Sequence, residues 1–224
     1  MEIELLKLIC KNCGSRIVSL KSDNLHFCSK CGKGYYVDNI DFREIETIYV
    51  KEKINKNLRK IYLPFWYVKT IIEFEGISIN ETVNIIKIFF ENKEEIVFNK
   101  RENINNEMEF IIPAFGTTNR YLLLDNIGIF YTLNRFDYER TEPFNMVCGK
   151  YRPSDLIPIL KSFLYATFSK KELIIDKKIN FNIRENKILG ISFFIEDKIL
   201  IDSIYGKQIF LDAVENIQDA LKIQ

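Results

Sequence analysis

Apolar residues in this chain gather in short runs whose spacing changes along its length. Near the N-terminus the runs Leu6 to Ile9, Arg16 to Leu20, Leu25 to Phe27 and Tyr35 to Val37 read as strands too short to build a core of their own. Residues 38 to 60 read as a bridge, in which Asp41 to Val50 mixes acids with β-formers. Ile61-Tyr62-Leu63-Pro64-Phe65-Trp66-Tyr67-Val68 is then a continuous apolar run, which predicts a buried strand continuing toward Phe74. Pro64 has no N–H to give to a ladder, so it belongs at a bulge, an edge or the strand's start. Further strands are expected at Ile77 to Ile79, Val83 to Phe90 and Glu95 to Phe98, with turns at Gly76 and Glu91-Asn92-Lys93-Glu94. Glu109 to Phe115 makes another apolar strand, again with a proline, Pro113.

After Thr117 the period lengthens. Thr118 can cap a helix with Tyr121, Leu122, Ile129, Phe130 and Leu133 on one face, although Gly128 interrupts it. A second helix starts at Ser154, tolerates Pro158 near its first turn, and carries a stripe of Ile157, Leu160, Phe163 or Leu164, and Phe168. Strands are then expected at Glu172 to Asp176, Ile179 to Ile183, Ile188 to Ile195 and Lys198 to Ile204. The last pair turns at Glu196-Asp197, Asp202 to Gly206 is a polar turn, and an amphipathic helix covers Leu211 to Lys222. The segments Leu63-Pro64-Phe65-Trp66, Ile112-Pro113-Ala114-Phe115 and Ile191-Ser192-Phe193-Phe194 echo one another without a fixed period, a shared way of entering a sheet. The whole reads as α+β: a small N-terminal module over residues 1–40, then over 41–224 a mainly antiparallel β domain, one bent sheet or two, with two or three helices.

The chemistry is concentrated in the small module. Cys10-Lys11-Asn12-Cys13-Gly14 and Cys28-Ser29-Lys30-Cys31-Gly32 are two Cys-x2-Cys-Gly pairs, a spacing that brings four thiolates round one tetrahedral ion. The glycine after each pair suits a turn at positive φ that aims backbone N–H groups at sulfur. Two hairpins clamping one ion make a zinc ribbon, over about residues 4 to 38, with Cys10, Cys13, Cys28 and Cys31 as the ligands of one structural Zn2+. An iron centre would use the same four sulfurs. Glu2, Glu4 and Lys7 interrupt the only early apolar stretch, so no signal peptide is expected, and a reducing cytoplasm favours metal over disulfides. A redox Cys-x2-Cys would need one pair beside a βαβ unit rather than two matched pairs. His26, the only histidine, falls on the same strand face as Cys28, and is expected to be a partly exposed residue rather than a competing ligand.

Composition narrows the classes. The 224 residues are 47% hydrophobic and 28% charged, ordinary for a globular chain, and no apolar run reaches the roughly 18 residues of a membrane span. The tempting stretch Tyr121 to Leu133 is broken by Asp125. Four deprotonated thiols and one divalent ion move the formal charge from +1 to −1, a balance unlike that of a general nucleic-acid binder. The basic stretch Lys51 to Lys60 is either a phosphate-facing patch or a solvated connector, and the connector is the simpler reading.

A four-cysteine ribbon followed by the Leu63-Pro64-Phe65-Trp66 strand, a later Pro113-Ala114-Phe115-Gly116 and a hairpin ending in Asp202 to Gly206 resembles a group of poorly characterised bacterial proteins that join such a ribbon to a β-rich domain. That resemblance implies a fold and no particular reaction. Ribbons of transcription initiation factors, RNA polymerase subunits and ribosomal proteins are similar in the cysteine module only.

Enzyme signatures are absent: no Gly-x-Gly-x-x-Gly, Walker loop, Gly-x-Ser-x-Gly or His-Glu-x-x-His occurs. Cys148 reads as a buried small hydrophobe, Trp66 as core, and Arg152, Ser154 and Asp155 as an ordinary helix start. The expectation is a non-catalytic cytoplasmic adaptor that holds a protein partner. The alternative is a nucleic-acid-associated factor using Lys11, Arg16, Lys30 and Lys33 with the 51–60 stretch.

Overall fold

The computed structural model describes residues 8–20, 22–38, 41–91, 105–118, 127–134, 136–167, 174 and 176–223. The expected strand at Glu95 to Phe98, the turn residues after Glu91, Tyr121, Leu122, Phe168 and most of Glu172 to Asp176 lie outside them.

Two long strands organise the molecule. β5 (Lys60–Phe74) and β7 (Ile179–Glu196) run antiparallel over their whole lengths, from Lys60 opposite Phe194 to Phe74 opposite Ile179. β7 was expected as two strands. It is one, because the polar residues between its apolar halves include a bulge: Lys69 faces Glu185 and Thr70 faces Ile183, leaving Arg184 unpaired. β6 (Glu107–Pro113) flanks β5, while β8 (Ile199–Asp202) and then β9 (Gln208–Phe210) extend the sheet beyond β7. Short β4 (Thr47–Tyr49) lies parallel to β7 at Ile188 to Gly190. The sheet is antiparallel apart from that one pairing.

Pro64 sits inside β5 rather than at an end, and its neighbours show why it is tolerated. It lies opposite Gly190, and its carbonyl accepts from Ala114 N (3.0 Å), just past the end of β6. Regular pairing would have residue 64 donate back to Ala114 O. That carbonyl instead accepts from Lys150 N (2.8 Å) and Tyr151 N (3.3 Å), so nothing is orphaned by the missing N–H. The three echoing segments meet here. Phe65 is edge-on to Phe115 (5.4 Å between centroids) and Tyr131 (5.3 Å), and stacks on Phe193 (6.2 Å).

Four helices cover the sheet among the described residues. α1 (Ile79–Glu91) replaces the strands expected at Ile77 to Ile79 and Val83 to Phe90. Ser78 and Glu81 form a capping box: Ser78 N donates to Glu81 Oε2 (3.0 Å) and Glu81 N to Ser78 Oγ (3.3 Å). Thr82 and Ile86, one turn apart, are buried, so the isoleucine-rich run follows helical rather than strand period. α2 (Ile129–Leu133) presents Thr132 to the free edge of β6, where its Oγ1 accepts from Ile111 N (3.0 Å). The start of the helix that Thr118 was expected to cap lies outside the described residues; the Thr118 hydroxyl donates to Asp212 O (2.8 Å). α3 (Leu156–Thr167) buries Leu156, Leu160, Phe163 and Leu164. It is entered through a 3-10 turn, Pro153–Asp155, in which Arg152 N donates to Asp155 Oδ2 (2.8 Å), so Arg152 rather than Ser154 occupies the cap. The expected C-terminal helix is split: a 3-10 turn at Leu211–Ala213 precedes α4 (Ile217–Ile223), with Asn216 at φ 57° between them.

The N-terminal module is a small antiparallel sheet, β1 (Leu25–Phe27), β2 (Gly34–Asp38) and β3 (Asp41–Ile45), so its pairing runs past residue 40. Arg16 to Leu20 forms no strand and contributes one bridge, Ile9 to Arg16. Leu25, Phe27 and Ile45 join the main core around Trp66 and Phe110. A strap over residues 136–152 ties the two parts together. Gly149 exchanges bonds with Leu25 (2.9 Å each way), Val147 N donates to Tyr62 O (2.9 Å), and Trp66 Nε1 donates to Tyr151 O (3.0 Å). Replacing Trp66 with phenylalanine removes that donor and leaves a gap in a fully buried site, and should cost about 1–3 kcal/mol in urea unfolding.

Candidate metal centre

Both cysteine pairs fold into the same turn. Cys10 N donates to Ser15 O (2.9 Å) and Gly14 N to Cys10 O (2.9 Å); Cys28 N donates to Lys33 O (2.9 Å) and Gly32 N to Cys28 O (2.8 Å). Gly14 and Gly32 share φ +71°, the left-handed conformation that glycine adopts without a Cβ penalty. Gly32 is constrained further, because a Cβ there would collide with the Pro143 ring and come within 2.9 Å of Tyr49. The second knuckle is therefore pressed against both the strap and β4.

These twin turns gather Cys10, Cys13, Cys28 and Cys31 so that all four sulfurs lie within 4.8 Å of one another. Cys10 Sγ is 3.4 Å from Cys31 Sγ and Cys13 Sγ is 3.5 Å from Cys28 Sγ. A tetrahedron with metal–sulfur bonds of about 2.3 Å has edges of about 3.8 Å, close to this spacing. All five cysteines are free thiols. The donor set therefore fits one metal ion, and four sulfurs fill its tetrahedron.

The charge of the cluster is unevenly supported. Burial pushes Cys28 up to about 12, against the N–H groups of Cys31 and Lys30. For Cys10 burial acts the same way, but the Tyr35 hydroxyl and the N–H groups of Cys13 and Asn12 outweigh it and the thiol falls below its ordinary value. Cys13 is drawn down to about 6 by the Ser15 hydroxyl and N–H, with burial opposing. A bound cation supplies the stabilisation that buried Cys28 lacks.

His26 departs from the expectation of partial exposure. It is only 3% exposed, both ring nitrogens lack hydrogen-bond partners, and burial draws it down to about 4, so the ring is neutral. It packs 5.7 Å from Phe42 and is not one of the gathered donors. Cys148 is half-buried in the wall of a surface cavity of about 60 Å3, and burial pushes its thiol up to about 12, the opposite of an activated nucleophile. Trp66 is fully buried. Most bases of the 51–60 stretch are engaged on the body: Lys51 with Glu139 (2.6 Å), Lys60 with Glu52 (2.7 Å), Lys56 with Glu196 (4.0 Å), and Arg59 with Leu221 O (2.9 Å). No helix among the described residues is long and apolar enough to cross a membrane.

Sequence reasoning missed Tyr35, whose hydroxyl lies 3.2 Å from Cys10 Sγ. No spacing rule pairs a β2 aromatic with a cysteine twenty-five residues earlier. No protein-family profile matches this chain, and neither a curated protein nor a solved structure does.

Among the described residues the knuckles enclose a small apolar cluster of Cys10, Ile17, Cys28, Tyr35 and Phe42. Adding a strong chelator to metal-loaded protein should strip hydrogen-exchange protection from the Cys10, Gly14, Cys28 and Gly32 amides. The β5 and β7 amides should remain protected.

Proposed function

We propose that this chain is a non-catalytic cytoplasmic adaptor: one structural Zn2+ in a four-cysteine ribbon braces a small module that, with the α+β body, holds a protein partner. The observation that carries this reading is the all-sulfur donor set, which fills a tetrahedral ion and leaves no position for water or substrate. Zinc is preferred over iron because a redox-inert ion suits a purely structural brace. Partner binding is supported by the apolar side chains of Ile9 and Val18, 46% and 54% exposed, with exposed Arg16 bridged to Ile9.

The engaged bases of the 51–60 stretch weigh against the nucleic-acid reading, since each already has an acidic or carbonyl partner or lies over an aromatic ring, as Lys53 does over Phe136 (5.9 Å). Affinity purification from the cells that make the protein, with and without nuclease, separates the two. The adaptor account expects a stoichiometric protein partner that survives nuclease and is lost on Ile9→Asp with Val18→Asp. Recovery abolished by RNase, or tight salt-sensitive binding of fluorescent RNA at about 50 mM salt, would replace it with the nucleic-acid reading.

A further inference from the structure

The two knuckles are near copies, and the difference between them identifies a residue that tunes the metal. In each, the backbone N–H groups two and three residues on favour the charged form of the first cysteine: Asn12 and Cys13 for Cys10, Lys30 and Cys31 for Cys28. Of these two sulfurs, among the described residues, that of Cys10 alone meets a side-chain hydroxyl as well, Tyr35 Oη at 3.2 Å. Tyr35 is fully buried on β2, the middle strand of the small sheet, paired with His26 of β1 and Glu44 of β3, and its ring stacks on Phe42 at 4.6 Å and 17°. Sheet pairing and stacking hold the ring, so the hydroxyl meets the sulfur without ordering a free side chain.

We infer that Tyr35 is a positioning residue of the metal centre, donating its hydroxyl hydrogen to the Cys10 thiolate so that the bound ion is retained rather than exchanged. This rests on the metal reading above and adds which group governs retention. Four thiolates on a divalent ion leave two negative charges in a mostly buried cluster, and charge is most costly where the sulfur is least exposed. Cys10 and Cys28 are both buried, at 1% and 0% exposed, and of the two it is Cys10 that meets an O–H donor, which lowers the basicity of its sulfur and slows its capture by protons or electrophiles. Lys33, just before β2, adds a positive charge close to Cys31 and Cys10 while paired with Glu44.

The test is Tyr35→Phe in the full chain, which keeps the ring, the stack on Phe42 and the strand pairing but removes the donor. Zinc transfer to a chromophoric chelator should be about 10-fold faster or more than in the unmodified protein, the range expected on losing a partner of a metal ligand. With Co2+ in place of zinc, the sulfur-to-metal charge-transfer band should move to lower energy, because a thiolate without its hydrogen bond gives up electron density more easily. A role in packing alone would reduce occupancy without moving that band. Unchanged release together with an unshifted band overturns the inference, even if the variant is less stable. Unmodified protein that takes up neither ion overturns the metal centre itself.

Discussion

The convergence of four cysteine sulfurs on one point is the constraint from which the N-terminal module follows. Its strands β1 to β3 are short, and among the described residues its private apolar cluster holds few side chains. Segments of that size do not offset the conformational entropy of ordering them. Without an ion, the sulfurs of Cys10 and Cys28 would be buried thiols in a small, thinly packed cluster. With one, the ligand bonds supply the cross-link between hairpins that the hydrophobic effect cannot.

The module is nevertheless not isolated. β1 is two-faced in the ordinary alternation of a strand: Leu25 and Phe27 enter the main core, while His26 and Cys28 belong to the module. The strap carries the same connection along the outside, from Gly32 packed on Pro143, through Val147 on β5, to Gly149 on Leu25 and Tyr151 on Trp66. The metal turn and the centre of the long sheet thus share one run of backbone, and the position of the module on the body is fixed by it.

The parts legible in the sequence were those governed by local rules. The Cys-x2-Cys-Gly spacing marked the four sulfurs that converge, Leu25 to Phe27 and the run from Ile61 toward Phe74 marked strands, and unbroken apolar neighbours marked Trp66 as core. Where a second local signal competed, the louder one misled. The β-branched run from Val83 to Phe90 suggested a strand, but Ser78 and Glu81 had already written a helix start three residues apart. The polar stretch inside β7 resembled a loop because a bulge looks like one in sequence. His26 and Tyr35 were misjudged or missed for another reason: burial and contact across a sheet depend on pairing that no single strand encodes.

X-ray absorption at the metal edge of protein purified without added metal tests the central claim most directly. The account requires one zinc per chain with four sulfur neighbours at about 2.3 Å and no lighter atom in the sphere. A nitrogen or oxygen ligand would reopen the site to substrate and contradict the structural role. Absence of any stoichiometric metal would remove the foundation of the module.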